Sequence, residues 1–147
     1  MKITNKKAYF DYEVLESFEV GIVLKGSEVK SIRQGRVNLK DAYVKVINNE
    51  LWLVNADIPR YEYTVDDNYD SFRSRKLLIK RNQLNRIESK VKQGNLSLIP
   101  ISVYTVRGYI KVEIAIAKGK KYHEKRRKEK ERDMERDLLY ESRKYVV

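Results

Sequence analysis

The chain has 147 residues, 41% hydrophobic and 36% charged, and its 32 Lys and Arg outnumber 21 Asp and Glu for a net charge of +11. That length fits one domain with an appendage, since single domains usually hold roughly 100–150 residues. Cysteine is absent, which excludes disulfides, thiolate catalysis and Cys-ligated zinc and fits a reducing compartment. The N-terminus lacks an apolar leader core and no run approaches the ~18 apolar residues of a membrane span, so a cytosolic, non-membrane protein is expected. Residues 1–117 hold 20 basic and 14 acidic side chains, so the surplus is not confined to one end. Such a balance favours a polyanionic partner, nucleic acid before acidic membrane.

Residues 1–7 read as a short basic arm. From Ala8 the text turns strand-like, with Tyr9, Phe10, Tyr12, Val14 and Phe18 leading into a β-branched run at 20–24. Gly26-Ser27 breaks that run. Ser27 can cap a short helix with Glu28 in its first turn, Val29 and Ile32 as its apolar face and Gly35 at its end. Glu28 on its own reads as a helix N-terminal carboxylate with local salt bridges to Lys25, Lys30, Arg33 and Arg36. A hairpin follows, with arms at 42–47 and 50–54 joined by Asn48-Asn49, a pair that tolerates positive φ. The polar, tyrosine-rich residues 55–74 read as a long loop, a type that is often functional.

Leu77-Leu78-Ile79 opens a second helical region, in which Leu84, Ile87 and Val91 keep the i, i+3, i+7 spacing and Gly94 closes it. Two strands complete the body. Residues 96–105 include Pro100, which suggests an edge or a bend. Residues 109–117 alternate, with Ile110, Val112, Ile114 and Ile116 on one face, and Arg107-Gly108 turns the chain between the two. Five or six antiparallel strands with modest helices fit a mainly β domain over 1–117, a small closed β-barrel of oligonucleotide-binding type.

Residues 118–147 form a separate basic tail, with twelve Lys or Arg against seven Asp or Glu. On a helix, Lys121, Lys125, Lys128, Arg132, Arg136 and Arg143 would fall within about 80° of one another, with Met134, Leu138 and Tyr145 opposite. So few apolar groups cannot build a core, and a helix here would be marginal in water unless a polyanion supported it.

Enzyme signatures are lacking. His123 is the one histidine, no glycine-rich phosphate loop occurs, and no second group for acid–base chemistry stands near His123. No catalytic site, metal or cofactor is expected. Basic residues interleave with aromatics at Lys6-Lys7-Ala8-Tyr9, Arg60-Tyr61-Glu62-Tyr63 and Lys120-Lys121-Tyr122-His123. Phosphate contact combined with stacking is how single-stranded or irregular RNA is gripped.

Five blocks taken together are distinctive: NKKA at 5–8, FEVGIVL at 18–24, GSEVKSIRQGRVNLKDAY at 26–43, RSRKLLI at 73–79 and AKGKKYHEKR at 117–126. In these the chain resembles the SmpB family, the SsrA-binding proteins that partner transfer-messenger RNA in bacteria. The resemblance implies an oligonucleotide-binding-type barrel with two or three flanking helices and a tail disordered when free and helical on the ribosome. It implies binding to the tRNA-like domain of transfer-messenger RNA, delivery to stalled ribosomes and no covalent chemistry. The tail would occupy the small-subunit decoding centre and the empty mRNA channel, with the protein acting as a monomer.

Carried over by motif, Glu28 matches the acidic residue used in RNA binding. Asn5, Lys6, Lys7, Lys30, Arg36, Asn38, Lys40, Arg73, Arg75, Lys76, Lys118, Lys120 and Lys121 lie in matching blocks as RNA contacts. Tyr122, His123, Lys125, Arg126, Lys128 and Arg132 fall in the decoding-site tail. The chain departs from the family pattern at Glu124, Ser71, Asp57 and Lys80, where Asp, Pro, His and His or Asn respectively are usual. A nonspecific basic protein of ribosome or membrane surfaces is the competing expectation.

Overall fold

The computed structural model describes residues 1–65 and 68–120. Seven strands form one antiparallel sheet: β1 (Lys2–Thr4), β2 (Tyr12–Ile22), β3 (Tyr43–Ile47), β4 (Glu50–Val54), β5 (Arg75–Leu78), β6 (Leu96–Val106) and β7 (Tyr109–Gly119). Three helices interrupt them, α1 (Lys6–Asp11), α2 (Gly26–Arg33) and α3 (Arg81–Lys92). The strand order is β1-β6-β7-β2-β5-β4-β3. This is the mainly β fold with flanking helices expected from the pattern.

Alternation fixes which side of each strand faces inward. Val112, Ile114 and Ile116 of β7, Leu51 and Leu53 of β4 and Leu77 of β5 are buried in one cluster with Val20 and Phe18 of β2. Helix α3 adds Leu84 and Ile87 to this cluster, and α2 adds Ile32. The sheet curls so that β3 comes alongside the first half of β6, with a cleft between them lined by Tyr43, Val44, Val46, Leu96 and Leu98. No ladder joins β3 to β6 among the described residues. The two strands approach each other there through side chains, without backbone pairing.

Local turn chemistry follows the sequence. Asn48 and Asn49 both take positive φ, 51° and 62°, as the tight hairpin between β3 and β4 requires. Gly35, at φ 76°, ends α2 in the left-handed conformation that side chains avoid.

Three expectations are corrected. Residues 75–78 form a strand, not the opening of a helix: Leu77 is drawn inward between Leu51 of β4 and Ile22 of β2, and the helix begins only at Arg81. Residues 6–11, read as arm and strand, form α1, whose Ala8 packs on Ile99, Ile101, Ala115 and Ala117. The small side chains of Ala115 and Ala117 let the helix lie close to the sheet. The arm before it is β1, paired with residues 102–104 of β6. The body also runs past residue 117, since β7 continues to Gly119 and the Lys120 amide donates to the Asp11 carbonyl (2.9 Å). The basic stripe expected along the tail lies outside the described residues from 121 onward.

Asn5 is what locks α1 down. Its Oδ1 accepts from the Ala8 amide at the helix start, and its Nδ2 donates to the Leu39 and Pro100 carbonyls at 3.1 and 3.0 Å. Truncation would take a donor from the buried Leu39 and Pro100 carbonyls, although Leu39 keeps the Ala42 amide and the Ala8 amide keeps the Asn5 carbonyl. Asn5→Ala should lower unfolding free energy by about 1–3 kcal/mol, measurable by urea denaturation, whereas an unchanged midpoint would show that water replaces the amide at no cost.

Candidate nucleic-acid interface

The centre of this region is a buried carboxylate. Glu28 stands at the third position of α2, where the helix N-terminus favours negative charge, and its Oε1 accepts from the Lys25 amide at 2.8 Å. The same oxygen accepts from Arg73 Nη2 at 2.5 Å, and Oε2 accepts from Arg75 Nε at 2.7 Å. Glu28 and Arg75 are both 0% exposed. An unpaired charge in such a place would be prohibitive, and two guanidiniums make it tolerable. Burial alone would push the Glu28 carboxyl up; the bonds from Arg73, the Lys25 amide and Arg75 outweigh it and hold the group below its ordinary value of 4.5.

Arg75 passes the constraint onward. Its Nη1 donates to the Ala56 carbonyl at 2.7 Å and its Nη2 to the Ser71 carbonyl at 3.0 Å. The Ser71 carbonyl also accepts from the Ile58 amide, Ser31 Oγ donates to the Pro59 carbonyl and the Tyr69 hydroxyl to the Ile58 carbonyl. The backbones of Asn38 and Asp57 form a two-way bridge. The long loop is thus tied to α2 at both of its ends. At Asp57 and Ser71 these contacts are made by the backbone, which is why unusual side chains are accommodated at both positions.

Around this hub lie several of the residues expected from sequence. Lys30 is exposed on α2 with its ammonium 5.2 Å from the centre of the Tyr61 ring, a cation–π distance. Tyr61 meets Tyr63 edge to face at 5.4 Å, and Tyr63 is 74% exposed. Arg36 reaches the Arg60 carbonyl at 3.4 Å, Arg60 itself donates to the Thr64 carbonyl, and Asn38 Oδ1 accepts from the amide of exposed Lys40. Arg73 is the one member of the Glu28 cluster that reaches solvent, its side chain 31% exposed.

A second group gathers at α1. Lys6 and Lys7 are exposed, Lys7 pairs with Asp41 at 3.3 Å, and Lys120 Nζ donates to the Tyr9 carbonyl at 3.0 Å. Lys118 is exposed near the end of β7. The Asn5 and Lys7 links to residues 39 and 41 join this group to the segment that carries Asn38 and Lys40. Lys76 stands apart on β5, beside Glu50 at 3.4 Å, and Lys80 is exposed immediately before α3.

Direct RNA contact is not what the geometry gives to Glu28, Arg75 or Asn5. All three are buried with their polar atoms engaged inside the fold, so each can act only by positioning others. Glu28 is the helix N-terminal carboxylate expected, but the salt bridges expected to Lys25, Lys30, Arg33 and Arg36 are replaced by Arg73 and Arg75. Its partners stand 45 and 47 residues away, and burial marks it as a hub. Lys121, Tyr122, His123, Lys125, Arg126, Lys128 and Arg132 lie outside the described residues. Sequence reasoning missed Tyr61 as the ring beneath Lys30, although the Arg-Tyr-Glu-Tyr block had singled out that stretch.

Elsewhere on the sheet two carboxylates meet. Glu19 of β2 lies directly opposite Glu113 of β7, a pairing of like charges that is unfavourable across a ladder. Tyr104 beside them is pushed up to about 12, first by burial and then by the Glu19 and Glu113 carboxylates.

Comparison with known proteins agrees with this picture. The family model described as SmpB protein matches residues 2–144. The chain is 45% identical over 138 residues to the SsrA-binding protein of Mycobacterium leprae (strain Br4923), covering 94% of this chain and 86% of that protein. It is 47% identical over 142 residues to the SsrA-binding protein of Persephonella marina (strain DSM 14350 / EX-H1), covering 97% and 91%. A solved structure described as "tmRNA-SmpB: a journey to the center of the bacterial ribosome" superposes with a TM-score of 0.69 at 43% identity, over 82% of this chain and 85% of that one.

The Glu28 cluster sets a pH signature. A carboxyl held below 4.5 in the folded state contributes stability that is fully present above that value and is lost as pH falls through the lower folded value. Glu28→Gln should cost about 3–5 kcal/mol at neutral pH and flatten the acid limb of the stability profile. Denaturation across pH 3–7 (a range of about four units) checks both; an unaltered acid limb would place the titrating group elsewhere.

Proposed function

The chain belongs to the SmpB family, and on that premise we propose that it binds the tRNA-like domain of transfer-messenger RNA and delivers it to stalled ribosomes for trans-translation. It acts as an RNA-binding adaptor and not as an enzyme. The observation that supports this most strongly is the buried Glu28–Arg73–Arg75 cluster, with Lys30, Arg36, Lys40 and the Tyr61–Tyr63 pair arranged around it. Such an array offers phosphates fixed cations and offers unpaired bases an aromatic face. Its rigidity is inherited from a hub the RNA does not touch.

The α1 group of Lys6, Lys7, Lys118 and Lys120 extends the same basic surface and supplies further phosphate contacts. The chain beyond Lys120 forms the second module: in this reading the tail, with Tyr122, His123, Lys125, Arg126, Lys128 and Arg132, enters the decoding site and the empty mRNA channel and orders there. Two linked modules raise the effective concentration at the second site without new contacts. The work is done in the cytoplasm, by a monomer.

Two measurements test this reading. A labelled tRNA-like domain of transfer-messenger RNA, challenged with excess bulk tRNA at near-physiological salt, should stay bound to the wild type and be lost from Glu28→Ala. Equal displacement by any RNA, indifferent to Glu28, would reduce the protein to a nonspecific basic one. Removing the residues after Arg126 should leave that affinity within about threefold while abolishing tagging on stalled ribosomes; loss of both together would contradict the division between body and tail.

A further inference from the structure

The outer face of β3, β4 and β5 carries an arrangement that the α2 surface does not use. Inward-facing Leu51, Leu53, Arg75 and Leu77 are buried, so their alternating neighbours point outward. The pairing register sets Lys45 of β3 opposite Trp52 of β4, and Trp52 opposite Lys76 of β5. One row across the sheet therefore reads Lys–Trp–Lys, with directly opposed side chains about 5 Å apart at their Cβ atoms. The indole is half-buried, and among the described residues no ring stacks on it. Leu78 and Ile47, 53% and 42% exposed, extend the apolar ground on one side, and Tyr43, 46% exposed, on the other.

The charge is equally one-sided. Lys76 is paired only with Glu50, at 3.4 Å, with both side chains more than two-fifths exposed. A surface pair of this kind is weak and yields readily to a phosphate. The acidic sector formed by Glu19 and Glu113 lies on other strands of the same sheet. A flat ring between two ammonium groups, on a chain of net charge +11, matches the chemistry of an unpaired nucleotide: a π-face to stack, with a phosphate on either side. A duplex would hide its base faces from the ring. A purely apolar protein partner would leave both lysines desolvated without counter-charge.

We propose that the outer face of β3–β5 is a separate, sequence-tolerant site for single-stranded nucleic acid, with a base stacked on Trp52 and its flanking phosphates on Lys45 and Lys76. The site is distinct from the Glu28 cluster, in which Arg75 faces the opposite side of the sheet, Glu28 lies on α2 and Arg73 precedes β5. It would hold a single-stranded segment while the α2 surface holds a folded RNA.

Trp52 is the only tryptophan in the chain, so its emission reports on the site directly. Titration of the full-length protein with a short oligouridylate should quench that emission saturably, while a blunt RNA duplex of equal charge should not. Anisotropy of the labelled oligouridylate should show binding weakened roughly tenfold or more by Trp52→Ala and largely retained by Trp52→Phe. Lys45→Gln with Lys76→Gln should reduce the slope of log affinity against log salt by about 1.4. Arg73→Gln, which disturbs the α2 surface, should leave the quenching unchanged, so that failure of the transfer-messenger RNA reading and failure of this one are separable. Emission indifferent to saturating oligouridylate would overturn the proposal. So would binding unmoved by the paired lysine substitutions, or shielding of Trp52 by ribosomal protein alone.

Discussion

A single carboxylate with two guanidiniums sets the geometry of the recognition surface. Taking Glu28 and Arg75 wholly out of water costs several kcal/mol per ion, and the structure recovers this only because every strong acceptor site on the carboxylate is filled. One bond comes from the backbone of its own helix, one from Arg73 and one from Arg75. Arg75 then spends its remaining donors on the Ala56 and Ser71 carbonyls. A helix, a strand and both ends of a long loop thus share one electrostatic centre. If the carboxylate is removed, two positive groups remain close together with carbonyls but no counter-charge.

This arrangement explains how a protein of net charge +11 can be more than a sticky polycation. Diffuse positive charge raises affinity for any polyanion, whereas on the proposed reading the fixed positions of Lys30, Arg36, Lys40 and the exposed part of Arg73 would discriminate one RNA shape from another. The hub supplies the fixing without meeting the ligand. Glu19 and Glu113 stand opposite each other on β2 and β7.

Much of this was legible in the sequence where structure is locally determined. The Asn48-Asn49 turn, the 109–117 alternation, the Leu84–Ile87 helix face and the Gly35 stop all rest on contacts or dihedrals within a few residues. What was not legible rests on distant partners. Leu77-Leu78-Ile79 has no intrinsic preference strong enough to decide between helix and strand, and the neighbouring strands β2 and β4 decide it. Residues 6–11 form a helix because Asn5 finds carbonyls at 39 and 100 to hold. Family resemblance marked Glu28, Arg73 and Arg75 as important, but only their 0%, 31% and 0% side-chain exposure separates the one that reaches solvent from the two that are sealed inside the fold.

The most direct test of the Glu28 hub is amide hydrogen exchange of the wild type and Glu28→Gln, read alongside affinity for the tRNA-like domain. A positioning role predicts that protection falls selectively at Asn38, Asp57, Ile58 and Arg73, whose amides are bonded within or to the loop, while β6 and β7 stay protected and RNA affinity drops. Lost affinity with loop protection intact would contradict it, because Glu28 would then be acting on the RNA and not on the surface that receives it.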